Sequence, residues 1–511
     1  MNNNLAKDSF FDNINGYSLD LNQRKIIINN SNNILVVAGA GSGKTLTIVG
    51  KIKYLIEKKF INPKEILCIS FTNETVNNLK EKINYDVDIF TFHKLSLEIL
   101  KDHNIFYSIA ESDLLEYVVN EYFESNLFYK DKIKYIINYF NFYIQENKNI
   151  DLKTIKLEYN YLFKSYKKLI IKFINLIKSN NHKIHNFKRY IKRNRYIFNK
   201  RKRLKNISFL IIMFDIYRIY LEELNSNYRI DFDMMINYAS SIIEKYGMKR
   251  IYKYIIIDEF QDTSMIRYSL IKKIQEECDS KILCVGDDFQ SIYRFSGCTL
   301  DLFVNFKKYF KPSKILYLNM TYRNSIDLIK IAYGFIIKNH YQLSKIILSS
   351  KKLNKPVKIV YYTRSNYEII FYRLLDILHS EGKNNILILG RCNNDINYVY
   401  HGDINNGYFN YLDMKIRFLT VHTSKGLESD NVIILNLSDE LLGFPNKIED
   451  DEVLKLFFKN KEKCLYAEER RLFYVALTRT KNNVYLLTKK YHESIFVNEI
   501  KSKCEIIDIS N

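Results

Sequence analysis

The chain has 511 residues, more than one hydrophobic core normally supports, so two or more domains are expected. Hydrophobic residues make up 47% and charged residues 26%, a balance typical of folded proteins. Lys and Arg number 78 against 57 Asp and Glu, which gives a net charge of +21. This excess of positive charge favours an anionic partner, with nucleic acid first and an acidic membrane second. A codon bias that enriches Lys would account for part of the excess.

The cysteines and the N-terminal residues exclude several classes of protein. Seven cysteines occur singly without a CxxC pair, which argues against a zinc ribbon and a disulfide framework. Residues 1–20 are polar, and no window is apolar enough to span a bilayer. We therefore expect a cytoplasmic protein that does not bind membranes.

Short apolar runs alternate with helical stretches in two parts of the chain. The runs occupy residues 34–37, 66–71, 254–257 and 282–285 in the first part, and residues 315–318, 357–361, 386–389, 418–421, 432–435 and 484–487 in the second. Strands that are apolar on both faces and separated by helices indicate parallel sheets. The sequence therefore predicts an α/β fold with two sheet domains.

A long region between the first runs has a different composition. Residues 100–228 are rich in Lys, Tyr, Phe, Ile and Asn and contain neither Gly nor Pro, which predicts helices throughout. We interpret this region as a helical insertion into the first α/β domain. The predicted domains are residues 1–100 and 215–305 for the first α/β domain, 101–214 for the basic helical insertion, and 306–511 for the second α/β domain.

The first chemical motif follows the apolar run 34–37 and opens a helical stretch. Glycines in such a loop let backbone N–H groups close on phosphates, and the helix N-terminus adds its positive end. We expect Lys44 to reach the β- and γ-phosphates and Thr45 to bind Mg²⁺. The strict pattern for a phosphate-binding loop has Gly where Ala38 stands in this chain. An ordinary glycine-rich turn is the alternative. The expected nucleotide-binding residues of this loop are Ala38, Gly39, Ala40, Gly41, Ser42, Gly43, Lys44, Thr45 and Leu46.

The second motif places Asp258 and Glu259 directly after the apolar residues 255–257. Ligands bind at this carboxyl edge of open α/β sheets. Asp258 is expected to hold Mg²⁺ directly or through water, and Glu259 to orient and deprotonate an attacking water. An acidic pair at a strand end is common by itself. Together with Lys44 and Thr45 it predicts hydrolysis of ATP with Mg²⁺ rather than binding alone.

The order of motifs from Gln23 to about Lys481 resembles the UvrD/Rep-type superfamily 1 DNA helicases. The segment of residues 285–297, VGDDFQSIYRFSG, is most similar to the helicase IV branch of that family. The resemblance implies two RecA-like parallel-sheet motor domains, with the helical insertion in the first. It also implies an ATP-dependent DNA helicase that moves 3′ to 5′ on single-stranded DNA.

The resemblance further assigns residues to ATP. Gln23 matches the glutamine that reads the adenine edge, with Arg24 beside it, and Tyr322 matches the tyrosine that stacks on adenine. Glu428 matches the residue that meets the ribose.

Three further matches concern the γ-phosphate. Gln290 matches its sensor, which couples the nucleotide to DNA contacts, and Arg323 and Arg479 match the arginine fingers. Guanidinium groups commonly stabilise a transferring phosphoryl group. ATP is then expected between the two domains and would draw them together. A surface salt bridge is the alternative for Arg323.

DNA contact is expected to combine aromatic stacking with positive charge, because stacking on bases tolerates any sequence. Core packing is the alternative for the phenylalanines. The residues that the resemblance assigns to DNA are Phe71, Thr72, Asn73, Thr91, Phe92, His93, Tyr293, Phe295, Thr420 and His422.

A basic stretch stands out without the resemblance. Residues 183–205 contain eleven Lys or Arg and no Asp or Glu, with aromatic residues between them. Such charges repel one another unless an anion is near, so we expect Lys192, Arg193 and Arg195 to contact DNA. A solvated basic face is the alternative.

Three functions compete at this point. The first is the helicase, with single-stranded DNA and single-strand/double-strand junctions as partners. The second is a translocase that strips proteins or acts on RNA polymerase without unwinding. The third is a nucleic-acid binder with a decayed motor, which the intact set of ATPase residue types argues against. We expect a monomer that meets DNA repair or transcription proteins.

Overall fold

The computed structural model describes residues 8–124, 132–144, 152–180, 186–456 and 462–509. Two large sheets and one short strand pair account for its strands. The strands are β1 (Asn33–Ala38), β2 (Ile66–Ser70), β3 (Asp88–Thr91), β4 (Ser108–Ile109), β5 (Arg229–Ile230), β6 (Tyr254–Ile257), β7 (Lys281–Gly286), β8 (Lys314–Leu318), β9 (Val357–Tyr362), β10 (Ile386–Gly390), β11 (Tyr408–Tyr411), β12 (Met414–Thr420), β13 (Ser429–Leu437), β14 (Thr480–Lys489) and β15 (Glu505–Ile507).

The helices fall into four groups along the chain. The first lobe has α1 (Leu21–Ile28), α2 (Lys44–Lys59), α3 (Asn73–Ile83) and α4 (Phe92–Asp102), and the insertion has α5 (Leu114–Glu124), α6 (Ile133–Phe140), α7 (Leu152–Glu158), α8 (Asn160–Ser179), α9 (Asn186–Asn194) and α10 (Lys200–Ser226). The first lobe then continues with α11 (Phe232–Tyr246), α12 (Met265–Cys278), α13 (Asp301–Val304) and α14 (Phe306–Tyr309), and the second lobe has α15 (Ile326–Ile336), α16 (Tyr367–Ser380), α17 (Ala467–Leu477) and α18 (Ile495–Ile500). In the described part of the chain, no helix is both long and apolar enough to cross a membrane.

The sheet of the first lobe has six strands in the order β3-β2-β6-β7-β1-β8, and every neighbouring pair is parallel. Residues of β1 and β2 are buried on both faces, as expected for a sheet covered by helices on both sides. Because all six strands run the same way, their carboxyl ends share one edge. The glycine-rich loop, the acidic pair and Gln290 therefore emerge side by side.

The second sheet has the order β11-β12-β10-β13-β14-β9-β15 and is parallel except for the β11–β12 pair. Each face of this sheet packs in a separate hydrophobic core. One core contains residues of α15 and α17, and the other contains residues of α16. Together the two sheets confirm the predicted α/β class with two parallel-sheet domains.

One strand lies in a different sheet from the one predicted. The apolar run 315–318 forms β8, which pairs in parallel with β1 of the first sheet, from Ile34↔Lys314 to Ala38↔Leu318. The predicted boundary, which assigns residues 306–511 to the second domain, is therefore wrong for β8, because this strand belongs to the first sheet. Likewise, residue 214, the predicted end of the insertion, falls inside the continuous helix α10.

The insertion has a core of its own, in which aromatic rings such as Phe123, Tyr166 and Phe209 pack among aliphatic side chains. Two residues of the second lobe complete this core. Val453 and Leu454, from the connection between β13 and α17, are buried among the insertion helices. The connection thus attaches the insertion to the second lobe, although the insertion departs from the first.

This attachment leads to a prediction about stability. Leu454 is 1% exposed, whereas Leu441 in the same connection is 64% exposed. Replacing a buried leucine by alanine removes apolar contacts and leaves a cavity, which costs about 2–5 kcal/mol. We expect Leu454→Ala to lower the melting temperature in calorimetry and to speed hydrogen exchange in the insertion helices. Leu441→Ala is the matched control, and equal behaviour of the two variants would contradict this role of Leu454.

Candidate nucleotide site and DNA-facing surface

The glycine-rich loop has the geometry of a phosphate-binding turn. It connects β1 to α2, whose first residue is Lys44, and Gly41 and Gly43 have positive φ angles of 68° and 76°. Gly43 has a positive φ that favours glycine, and a Cβ on it would lie 2.7 Å from Gln23 Nε2, so a larger residue would strain the backbone and displace that amide. Within the described residues, Gln23 Nε2 and Ser42 Oγ are buried without a hydrogen-bond partner. Buried polar groups normally have partners, so these atoms suit a polar ligand at the loop.

The acidic pair lies directly opposite the loop lysine. Lys44 Nζ is 2.5 Å from Glu259 Oε1, and Gln261 donates a hydrogen bond to the same carboxylate. Asp258 is 2% exposed and accepts a hydrogen bond from the backbone N–H of Glu259. Burial and the neighbouring charge of Glu259 raise the pKa of Asp258. Burial opposes ionisation of Glu259, but the positive charges of Lys44 and Lys425 outweigh it and lower the pKa of that carboxyl.

The segment that carries Tyr322 and Arg323 is hydrogen bonded to the loop itself. The Tyr322 N–H donates to the Gly41 carbonyl over 2.9 Å, and Thr321 Oγ1 donates to the Ala40 carbonyl over 2.7 Å. The Arg323 side chain lies over the same turn, because a Cβ on Gly41 would be 2.5 Å from Arg323 Cβ. Its Nε donates to Glu428 Oε2 over 2.7 Å, and this ion pair partly neutralises the carboxylate.

The second predicted arginine is buried between the lobes. Arg479 is 1% exposed, and its Nη2 donates to Gln290 Oε1 over 2.9 Å. Burial lowers the pKa of Arg479 to about 9, and the nearby charge of Arg323 adds to the shift. Both arginines therefore lie at the carboxyl edge of the first sheet, close to the loop that begins α2.

The residues assigned to the adenine lie beside the loop. Gln23 caps the start of α1 and reaches Gly43, and Tyr322 lies at the same glycine, where its Cε2 would be 3.6 Å from an added Cβ. The hydroxyl of Tyr322 donates to Asp20. Arg24 lines an adjoining surface cavity with Asp20, and its guanidinium donates to the Leu19 carbonyl and to Asp12.

The predicted DNA contacts of the first lobe follow β2 and β3. Thr72 and Thr91 cap α3 and α4 through their hydroxyls, and Asn73 is exposed. Phe92, by contrast, is 2% exposed and packs in the core of the lobe. The prediction that Phe92 stacks on a base is wrong, because its ring presents no accessible face. Phe71 is only partly buried.

Arg267, which no motif singled out, lies among these residues. Its guanidinium is 4.9 Å from the centre of the Phe71 ring and 5.6 Å from that of Phe92. Burial and the charge of Arg267 lower the pKa of His93 to about 4, so this histidine is neutral near pH 7. Arg267 also donates to the Asp262 carbonyl.

The predicted contacts of the second half of the chain meet across the lobes. The Tyr293 hydroxyl donates to the His422 carbonyl over 3.1 Å, and the ring of Phe295 is edge-on to that of His422 at 5.5 Å. Phe295 is half exposed. Thr420 begins the turn that carries His422, and its hydroxyl is 3.0 Å from that of Thr423.

A buried ion pair continues this surface toward the nucleotide side. Lys425 forms an ion pair with the Asp262 carboxylate, donates to the Gln290 carbonyl over 2.8 Å and lies 5.1 Å from the centre of the Tyr293 ring. Asp262 accepts from Arg267 through its own carbonyl. A continuous row of contacts thus joins the first-lobe aromatics to Tyr293 and to the backbone of Gln290.

Some basic residues of the stretch 183–205 are paired with carboxylates, and others are not paired among the described residues. Lys192, Arg193 and Arg195 are exposed and form no ion pair among the described residues. Lys202 and Lys205 instead pair with Glu452 and Asp451 of the second-lobe connection. Two of the aromatic residues in the stretch, Phe187 and Tyr190, are buried, whereas Tyr196 and Phe198 are exposed. Residues 183–185, which include the first lysine of the stretch, lie outside the described residues.

A phosphate loop, an acidic pair at a strand end and a second parallel-sheet lobe that supplies arginines define a two-lobed nucleotide-hydrolysing motor. Comparison with known families agrees with this class. The model of the UvrD/REP helicase N-terminal domain matches residues 19–311, and that of the UvrD-like helicase C-terminal domain matches residues 403–491. The chain belongs to the UvrD/Rep helicase family, which confirms the resemblance in its motifs.

Individual relatives agree with the family. DNA helicase IV of Escherichia coli is 27% identical over 96% of this chain and 71% of its own length. A probable DNA helicase of Mycoplasma pneumoniae is 25% identical over 92% of this chain and 83% of its own length. The ATP-dependent DNA helicase PcrA of Bacillus subtilis is 27% identical over 70% of this chain, but the match spans only 45% of PcrA.

The contact between the loop and the Arg323 segment can be tested with a glycine pair. Gly41 and Gly382 both have φ of 68°, but a Cβ would meet Arg323 and Thr321 only at Gly41, and nothing within 4 Å at Gly382. We expect Gly41→Ala to displace Arg323 and lower the kcat/KM for ATP by about 100-fold, the size of effect that a 1 Å misplacement can have. Gly382→Ala introduces the same backbone strain without the clash. An equal loss of activity in both variants would mean that strain alone is responsible.

Proposed function

We propose that this protein is an ATP-driven helicase that moves 3′ to 5′ along single-stranded DNA and hydrolyses ATP between its two lobes. The observation that carries the proposal is that Arg323 and Arg479 lie against the carboxyl edge that presents Lys44 and Glu259. The polarity is supported by the family resemblance. We further propose a cytoplasmic monomer that acts at DNA junctions and meets repair or transcription proteins.

The chemistry follows from which charges surround the loop. Lys44 and the two arginines supply positive charge where a γ-phosphate develops negative charge during transfer. Glu259 is kept ionised by Lys44 and Lys425, as a base that accepts a proton from the attacking water must be. Thr45 and Asp258 are the residues that would hold Mg²⁺, which neutralises phosphate charge when bound.

Coupling to DNA is supported by the position of Gln290. Its side chain accepts from Arg479, and its backbone carbonyl accepts from Lys425. Lys425 also contacts Tyr293, whose hydroxyl reaches the turn of His422. A change at the γ-phosphate would therefore move groups that face the strand, which is the physical requirement for a nucleotide-driven step.

The motor proposal predicts a specific loss in Lys44→Ala. We expect single-stranded DNA to stimulate ATP hydrolysis by the wild-type protein, and the variant to lose at least about 100-fold in stimulated kcat, since one phosphate-stabilising group is removed. DNA affinity measured without nucleotide should be retained. Lys59→Ala, at the exposed end of the same helix α2, is the control. Absence of stimulation in the wild-type protein would overturn the proposal.

Duplexes with one single-stranded tail distinguish the helicase from the alternative translocase. A helicase of the proposed polarity separates a duplex that carries a 3′ tail and leaves a duplex with a 5′ tail intact. A protein that hydrolyses ATP on DNA and displaces a bound protein, but separates neither duplex, would be the remodelling translocase instead. Separation from the 5′ tail alone would contradict the proposed polarity.

The part of the basic stretch that is not paired among the described residues predicts a salt-dependent contact. The triple substitution Lys192→Glu, Arg193→Glu and Arg195→Glu should weaken binding to a tailed duplex. The negative slope of log K against log salt should become smaller in magnitude by about 2–3, because each phosphate contact contributes about 0.7–0.9. The matched control reverses three exposed lysines near the amino end of β8, namely Lys307, Lys308 and Lys311. Equal loss in both triple variants would indicate a general charge effect rather than a contact site.

A further inference from the structure

A lysine outside all the predicted motifs is buried between two carboxylates. Lys345 Nζ is 2.5 Å from Asp287 Oδ1 and 2.6 Å from Asp288 Oδ1, and it donates to the Ala38 carbonyl over 3.1 Å. The lysine side chain is 2% exposed and both carboxylates are fully buried. Ala38 ends β1, so a single ammonium group joins the start of the phosphate loop to the segment that carries Gln290.

Lys345 reaches this position on a segment that returns from the second lobe. The segment follows α15 and crosses the first lobe at residues 338–349, where the Leu343 N–H donates to Asp288 Oδ2 over 2.7 Å. Ile347 Cδ1 lies 3.2 Å from the Cβ position of Gly39. Residues 319–325 connect β8 to α15 of the second lobe, and we call this segment the outgoing crossover. The Leu348 N–H donates to the Asn319 carbonyl, and the Leu348 carbonyl accepts from the Thr321 N–H of this crossover.

Asp287 is hydrogen bonded both to Gln290 and to Gln261, the residue that donates to Glu259. Its Oδ2 accepts from Gln290 Nε2 over 2.7 Å, which leaves Gln290 Oε1 to accept from Arg479. Its backbone N–H donates to Gln261 Oε1 over 2.9 Å, and Gln261 in turn donates to Glu259. The γ-phosphate sensor and the expected base are thus both held through one aspartate.

We propose that Lys345 is a positioning residue for ATP hydrolysis, which acts by fixing Asp287 and, through it, the orientation of Gln290. This inference rests on the proposed ATPase function. A glutamine amide has two orientations, and the partner of each end selects one. Two adjacent buried carboxylates need a cation, and in its absence one of them must take up a proton or move. Gln290 would then lose its fixed acceptor, and its oxygen would no longer be directed at Arg479.

The test compares Lys345→Met, which keeps the length of the side chain, with Lys345→Arg. We expect the methionine variant to lower kcat by at least about tenfold, with and without single-stranded DNA, while the KM for ATP changes by less than about twofold, since the group acts on turnover through Gln290. The arginine variant should regain part of kcat because it restores the cation. Lys338→Met, on an exposed lysine of the same segment, is the control.

A double-mutant cycle separates positioning from mere stabilisation. If Lys345 acts through Gln290, then Lys345→Met should add little to the loss in Gln290→Ala, whereas two independent effects would multiply. Multiplying losses, or a kcat of Lys345→Met within about twofold of the wild-type value, would overturn the inference.

A third variant addresses folding. Lys345→Met combined with Asp288→Asn removes one of the two buried negative charges, so the melting temperature should recover while kcat stays low. Recovery of kcat together with stability would show that the lysine only balances charge, which also overturns the inference. A wild-type protein that hydrolyses ATP without stimulation by DNA would sink the proposed motor but leave this comparison intact. No hydrolysis in the wild-type protein would sink both.

Discussion

The arrangement of the two lobes depends on the direct attachment of the outgoing crossover, which connects β8 to α15, to the glycine-rich loop between β1 and α2. Backbone and hydroxyl groups of Thr321 and Tyr322 donate to the carbonyls of Ala40 and Gly41, and the next residue is Arg323. Because one of these bonds joins the main chain of Tyr322 to that of Gly41 and the other uses the short Thr321 side chain, a change in the loop reaches the Arg323 segment without passing through a long, flexible side chain. The positive φ of Gly41 and the lack of a Cβ make this close approach possible.

The parts of the molecule that were predictable are those set by local sequence. Runs of β-branched and aliphatic residues identified β1, β2, β6 and β7, because strands buried on both faces leave a continuous apolar signal. The same signal cannot tell which sheet a strand joins, so β8 was placed with the wrong lobe. β3 was not predicted, since it begins with the charged residue Asp88 and so lacks a continuous apolar run. The Asp88 carboxylate accepts from the hydroxyl of Tyr252 and lies 3.5 Å from both Lys64 and Arg250.

The site was predictable to the same degree. Motif residues such as Lys44 and Glu259 are brought together because they follow parallel strands, whose carboxyl ends share an edge. A motif does not tell which side of a helix faces solvent, and this is why Phe92 was assigned to DNA although its ring is buried. Arg267 and Lys345 had no signal at all, because their importance comes from contacts with residues distant in the sequence.

The place of β8 at the edge of the first sheet has a mechanical consequence. The outgoing crossover begins one strand away from β1, and the returning segment pairs beside it through the bridge between Met320 and Leu348. Two paired chains resist torsion better than a single chain does, yet they still bend. Rotation of one lobe about this connection would therefore have to break the bridge, whereas bending would leave the two segments paired.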